Sequence, residues 1–273
     1  MRIIIICGDH PRNTYFLKNI LNSKISEVIK IVLFKREKLI PVPPSNIEID
    51  LKKLWNLHFD KRARAEKKYF KFNIKKKFPQ KKFDFFNTSN ELENLLVSYK
   101  KDGIKFDVCL TSGAPFFSKK ILKLLPKFTV NLHLGLIPYY KGAITMFWPF
   151  YLLQPQFAGT TYHFISEYVD TGEILHNNLP ELNFGDGMHE TACKAVKNAA
   201  DDLEILLDYI NYRLKKNILP NFDKSLLRKG KLFFKSDWKP YMLKNIYQVY
   251  NDKIVDLYLN NKLGSDKPII KKI

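Results

Sequence analysis

Asn131, His133 and Asp170 are the residues of this sequence whose types and spacing could do chemistry together. Thr129 to His133 alternates Thr-Val-Asn-Leu-His and reads as the end of a strand, and residues two apart on a strand project to the same side. An amide and an imidazole therefore share a face where a sheet ends. Gly135, Pro138 and Gly142 follow and break any regular element, leaving an irregular loop. A second strand is predicted over G-T-T-Y-H-F-I-S, Gly159 to Ser166, and E-Y-V-D-T-G then carries Asp170 on a Gly-terminated turn. An amide, an imidazole and a carboxylate are thus available for hydrogen bonding to developing charge and for proton transfer. A Ser-His-Asp hydrolase is disfavoured because no G-x-S-x-G elbow is present.

The islands N-x-H…L-x-P-x-x-x-G, G-T-T-x-H and V-D-T-G, in this order, resemble the signature of the folate-dependent formyltransferases, which act on glycinamide ribonucleotide, methionyl-tRNA or sugar nucleotides. The departure is Gly135, where the family commonly has serine. The resemblance implies that 10-formyltetrahydrofolate is the cosubstrate. Asn131 would donate to the formyl oxygen, His133 would stabilise the oxyanion or take the amine proton, and Asp170 would hold His133 or relay a proton. It also implies that the turn T-S-G-A-P-F-F lines the pterin pocket, largely through backbone groups, with Gly113, Ala114, Pro115 and Phe116 joined by Val169 and Thr171. The implied fold class is α/β, a Rossmann-like mostly parallel sheet with helices on both faces, plus a small C-terminal α+β appendage. The run G-A-I-T-M-F-W-P-F looks most like the sugar N-formyltransferases, which implies a nucleotide-linked amino sugar as acceptor, used for surface polysaccharide, and contacts from Lys141, Gly142 and Trp148. Methionyl-tRNA formyltransferase is the alternative, and a non-catalytic nucleotide-binding module a third.

The elements that must position these groups can be read in order. Ile3 to Cys7 is a continuous apolar run ending at Gly8, and Asn13 to Leu21 has helical spacing, so a buried parallel strand, a tight turn and a helix are expected. The turn places Asp9, His10, Arg12 and Asn13 at a helix N-terminus, where free amides favour an anion. Capping by Asp9 or Asn13 explains the same residues equally well. The missing G-x-G-x-x-G disfavours NAD or FAD. The resemblance raises the phosphate reading, because the glycinamide ribonucleotide branch holds its acceptor's phosphate there. Val28 to Phe34 reads as a second strand. A basic helix over Leu51 to Phe72 lines up His58, Arg62, Glu66 and Tyr69 or Phe70 on one face, either a solvated ladder or a face that could reach a diphosphate. Ser89 or Asn90 caps a helix running to about Lys100, Phe106 to Leu110 is a buried strand, and a helix starts at Ser118. Ligands in open α/β sheets bind beyond the carboxyl ends of the strands, so Ser112 to Phe117 should sit beside the Asn131 loop. A long amphipathic helix is predicted from Asp186 toward Leu214, with a solvent-facing His189. His163 reads as an ordinary core or edge histidine. The tail holds a short strand, Leu232 to Phe234, and a helix-like run to Leu263.

With 273 residues the chain can hold a domain of roughly 200 residues and an appendage. We read residues 1–215 as the catalytic domain and 216–273 as a small subdomain, through which a homodimer could form. The tail is too poor in strands for the β-barrel that tRNA formyltransferases append. A hydrophobic fraction of 45% excludes disorder. The net charge of +19 comes from lysines scattered among Asn and Ile, which fits a solvated surface better than a nucleic-acid footprint. Cys7, Cys109 and Cys193 are widely spaced in apolar contexts and read as reduced, buried thiols. No His, Cys or carboxylate spacing suits a metal. The first apolar run is too short for a signal-peptide core and no span could cross a bilayer, so a cytoplasmic protein is expected.

Overall fold

The structure, a computed structural model, describes residues 1–273. Nine strands form: β1 (Arg2–Gly8), β2 (Glu27–Phe34), β3 (Phe83–Phe86), β4 (Val108–Ser112), β5 (Phe128–His133), β6 (Tyr140–Gly142), β7 (Thr160–Phe164), β8 (Ile174–Asn178) and β9 (Lys231–Phe233). Seven of them make one sheet in the order β3-β2-β1-β4-β5-β7-β8, and β6 and β9 pair separately. The five strands from β3 to β5 run parallel, and β7 and β8 are added antiparallel. This is the Rossmann-like, mostly parallel sheet that the sequence implied.

β1 is apolar from Ile3 to Cys7 because both its faces are covered there. Ile3, Ile5 and Cys7 enter one core with Val196, Ala199, Leu203 and Leu207, while Ile4 and Ile6 enter another with Leu92, Leu96 and Ile121. The helices concerned are α1 (Pro11–Thr14), α2 (Ile49–Tyr69), α3 (Ser89–Lys101), α4 (Lys119–Leu124), α5 (Trp148–Tyr151), α6 (Met188–Asp201) and α7 (Leu203–Lys215). The long helix expected from Asp186 is thus two helices, interrupted at Asp202. Thr88, one residue before the expected caps, accepts the amide of Glu91 at 3.2 Å at the start of α3. The helix expected from Asn13 is a single α-turn continued as a 3₁₀ helix over Tyr15–Asn22.

Residues 216–273 contribute α8 (Ser225–Arg228), β9 and α9 (Ile254–Leu259), joined by 3₁₀ and π turns in place of the helix-like run. Leu243, Ile246, Tyr247, Ile254 and Val255 pack in one cluster with Leu136, Tyr140, Phe147 and Trp148 from the loop after β5. The tail is therefore packed directly against that loop. Its only strand is β9. All three cysteines are free and buried. No helix is long and apolar enough to cross a membrane.

Candidate active site

The order of strands reverses between β1 and β4, so their carboxyl ends frame the crevice where an open α/β sheet binds ligands. Asn131 and His133 stand at the end of the neighbouring β5. The antiparallel pairing of β5 with β7 sets Asn131 directly opposite His163. Asn131 Nδ2 lies 3.1 Å from His163 Nε2. Asp170, in the left-handed region at φ 50°, which short polar side chains tolerate, closes the group. Its Oδ2 is 3.4 Å from His133 Nδ1 and its Oδ1 is 3.5 Å from His163 Nε2. The Gly142 amide donates to Oδ2 at 2.7 Å.

These contacts set the charges. Burial alone would raise the Asp170 carboxyl, but the neighbouring His133 and His163 imidazoles and the Gly142 amide outweigh it and hold the group well below the usual carboxylate range. Burial pushes His133 down, against the pull of Asp170 and the Tyr140 carbonyl. His133 Nε2 lies 2.9 Å from that carbonyl oxygen, which can only accept. In the neutral ring the closer contact, at Nε2, takes the proton, so Nδ1 faces the ionised Asp170 at 3.4 Å unprotonated, a pairing that favours proton uptake there. Taking a proton at Nδ1 would give it a charge-assisted bond to Asp170, the property a general base needs. Gly135 explains the departure from serine: a Cβ there would lie 2.5 Å from His133 Nε2.

The sequence model of the family described as "Formyl transferase" matches residues 60–204, more than half of the chain. The chain belongs to that family. It is a folate-dependent N-formyltransferase, and solved formyltransferases share its fold. Glycinamide ribonucleotide transformylase 1 from Symbiobacterium toebii superposes with a TM-score of 0.53 at 14% identity, covering 78% of this chain and 89% of that one. A sugar N-formyltransferase from a Shewanella species gives 0.53 at 14% over 87% and 78%. A 4-N formyltransferase from Francisella tularensis gives 0.52 at 17% over 86% and 77%. No curated protein matches the formyltransferase sequence.

The turn Ser112–Phe117 faces the loop that carries Asp170: Ala114, Phe117 and Ile165 share a cluster, and Lys119, opening α4 just after the turn, pairs with Glu167 at 2.9 Å. Gly113 is at φ 62°, and Ala114, Phe116 and Phe117 donate no backbone hydrogen bond within the chain. Phe116 and Val169 are exposed apolar side chains, and Ser112 Oγ is buried without a partner. Unbonded amides, a buried hydroxyl and apolar side chains therefore line this side of the crevice. Thr171 is buried and bonded to Ser166 Oγ at 2.9 Å, which shapes the loop from behind.

On the acceptor side several expectations change. Neither Asp9 nor Asn13 caps α1, whose N-cap is His10 without a side-chain bond. Asp9 accepts the Arg36 amide at 2.9 Å, and the buried Asn13 fits between Gly8 and Gly113, where a Cβ on either would meet its amide at 2.5 Å. Arg12 pairs with Glu66. The face of α2 carrying His58, Arg62 and Glu66 turns inward, so it is no solvated ladder: His58 and Glu66 are buried and Arg62 donates to the Leu39 carbonyl at 2.5 Å. His189 is buried against His58, with ring centroids 4.6 Å apart, because α6 packs on α2 and leaves its N-terminal turn no solvent. Trp148 is 3% exposed and stacked on Phe233, so its ring belongs to the core. Lys141 is buried with Nζ on the Leu226 carbonyl at 2.7 Å, and the Gly142 amide is already spent on Asp170. His163 was read as ordinary, and the β5–β7 register is the signal that would have identified it.

Proposed function

We propose that the amine formylated by this enzyme belongs to a nucleotide-linked amino sugar. The observation that carries the proposal is a pair of half-buried guanidinium groups, Arg12 and Arg62, in a cleft shared with Glu66 and His189 that also touches Leu134 and Met146 in the loop after β5. Arg12 Nε and Arg62 Nε are buried without partners. Burial, and then the neighbouring Arg12 charge, push Arg62 down to about 10, so a bound anion would relieve both. A diphosphate at the mouth of this cleft, held by these guanidinium groups, would bring the sugar toward the loop after β5.

The proposed roles follow from the site geometry. Asn131 donates its free N–H to the formyl oxygen as the amine nitrogen attacks the formyl carbon. His133 takes the amine proton at Nδ1 with Asp170 stabilising the imidazolium, and the proton returns to the folate nitrogen as its bond to carbon breaks. Gly113, Ala114, Pro115, Phe116, Val169 and Thr171 would hold 10-formyltetrahydrofolate. Both substrates are cytoplasmic metabolites, so the reaction is proposed to run there.

The test is a panel of dTDP-, GDP- and UDP-linked amino-deoxysugars with 10-formyltetrahydrofolate, read by mass spectrometry for one added formyl group. Formylation of one family member supports the proposal. Formylation of methionyl-tRNA instead, with binding that collapses between low and physiological salt as released counterions demand, would overturn it.

A further inference from the structure

The residues that hold the catalytic pair are themselves held by the tail. β6 pairs in parallel with β9. The Lys231 amide donates to the Tyr139 carbonyl at 3.1 Å, and the Ala143 amide donates to the Phe233 carbonyl at 2.8 Å. Successive backbone groups of a strand point to opposite sides. The groups of residues 139 and 143 thus face β9, while the Tyr140 carbonyl and the Gly142 amide face away, toward His133 at 2.9 Å and Asp170 at 2.7 Å. β6 has one edge on the tail and the other on the site.

Three further contacts lock that edge. Phe233 is 3% exposed and lies between the ring of Trp148, 4.4 Å away and inclined by 13°, and that of Tyr140, 5.9 Å away at 15°. Lys141 Nζ reaches back to the Leu226 carbonyl. Gly142, at φ 91°, packs so closely on β9 that a Cβ would lie 2.1 Å from the Phe233 carbonyl oxygen.

We propose that residues 226–233 are a positioning element for His133 and Asp170, with Phe233 and Lys141 as its anchors. The inference rests on the roles given to His133 and Asp170 above. Without β9, the Tyr140 carbonyl and Gly142 amide would sit on a loop free to move, and small displacements of reacting groups are costly. Neither anchor meets a substrate in this arrangement. Lys141 is thereby reassigned from acceptor contact to support.

The test uses the full chain with Phe233→Leu, which keeps an apolar side chain but loses the stack, and Lys141→Met, which removes the bond to Leu226 together with the Lys141 charge that acts on Asp170. The first readout needs no substrate: ¹⁵N shifts of the His133 ring, which report the Nε2–H tautomer held by Tyr140. We expect both variants to lose the single tautomer and Phe233→Tyr to keep it. Turnover with the amino-sugar nucleotide that the wild type formylates should fall about 10-fold or more, while folate affinity stays within about twofold. Wild-type ring shifts in folded Phe233→Leu and Lys141→Met would overturn the proposal, and if Phe233→Leu does not fold, Lys141→Met decides alone. Altered ring shifts with unchanged turnover would uphold the positioning and instead refute the roles of His133 and Asp170.

Discussion

Asn131 Nδ2 lies 3.1 Å from His163 Nε2. His163 Nδ1 is 2.9 Å from the Phe164 carbonyl oxygen and must donate to it, so Nε2 holds a lone pair and accepts one amide hydrogen of Asn131. That bond fixes which way the amide points and leaves its second hydrogen for a substrate oxygen. His163→Ala should therefore lower kcat about 10-fold or more, as for a misaligned donor. His163→Gln, whose carbonyl can still accept from Asn131, should recover part of the loss. Steady-state kinetics with folate affinity measured separately checks this, and an unchanged kcat in His163→Ala would show that Asn131 needs no such partner.

Asn131→Ala, His133→Ala and Asp170→Ala should each lose at least about 100-fold in turnover while remaining folded, because each removes a donor or proton-transfer group. The losses should be strongly non-additive, since all three groups serve one intermediate. Double variants that multiply the single losses would mean that they act on separate steps.

The parts of this arrangement legible in the sequence were those set by local periodicity. Asn131 and His133 are two apart on one strand, β1 is an uninterrupted apolar run from Ile3 to Cys7, and Ser118 caps α4 as its position suggested, accepting the Ile121 amide at 3.3 Å. The parts that were not legible depend on which distant segments meet. His163 matters because it is the cross-strand partner of Asn131, a register no single strand encodes. β6 is three residues, too short for any periodicity to register, and although Leu232 to Phe234 read as a strand, within one residue of β9, nothing in it named β6 as its partner. His58 and His189 look like surface residues of two amphipathic helices until α2 and α6 are packed together. The aromatic run around Trp148 could not say whether its rings face a ligand or the tail, and Phe233 decides that.

Arg12 illustrates how burial changes a mutational test. Glu66 is 3% exposed at its side chain and pairs with Arg12, so Arg12→Ala strands a buried carboxylate and should cost about 3 kcal/mol of stability. Arg12→Ala with Glu66→Gln should regain much of that in urea titrations. If Arg12 also binds acceptor phosphate, the double variant should still show an acceptor KM raised about 10-fold or more, the effect of one charge-assisted hydrogen bond. The folate KM should not move. A double variant with an unchanged acceptor KM would leave Arg12 purely structural.

The buried histidines predict how stability depends on pH. Burial, then the charges of Arg62 and Arg12, push His58 down to about 3. The same burial, together with His58, Arg12 and Arg62, pushes His189 well down. His58 also bonds through Nδ1 to Tyr247 Oη at 2.9 Å. In the unfolded chain a histidine takes its proton near pH 6.5, whereas folded His58 does so only near pH 3. Between these values the unfolded state binds more protons, so stability rises with pH and falls on acidification, by up to about 1.4 kcal/mol per unit for each such histidine. His58→Gln, whose side chain can still meet Tyr247, removes one of the two. Comparing unfolding free energies at pH 7 and pH 5, the wild type should lose about 2 kcal/mol more than His58→Gln. Equal losses would mean that water reaches His58 and lets it titrate normally in the folded enzyme.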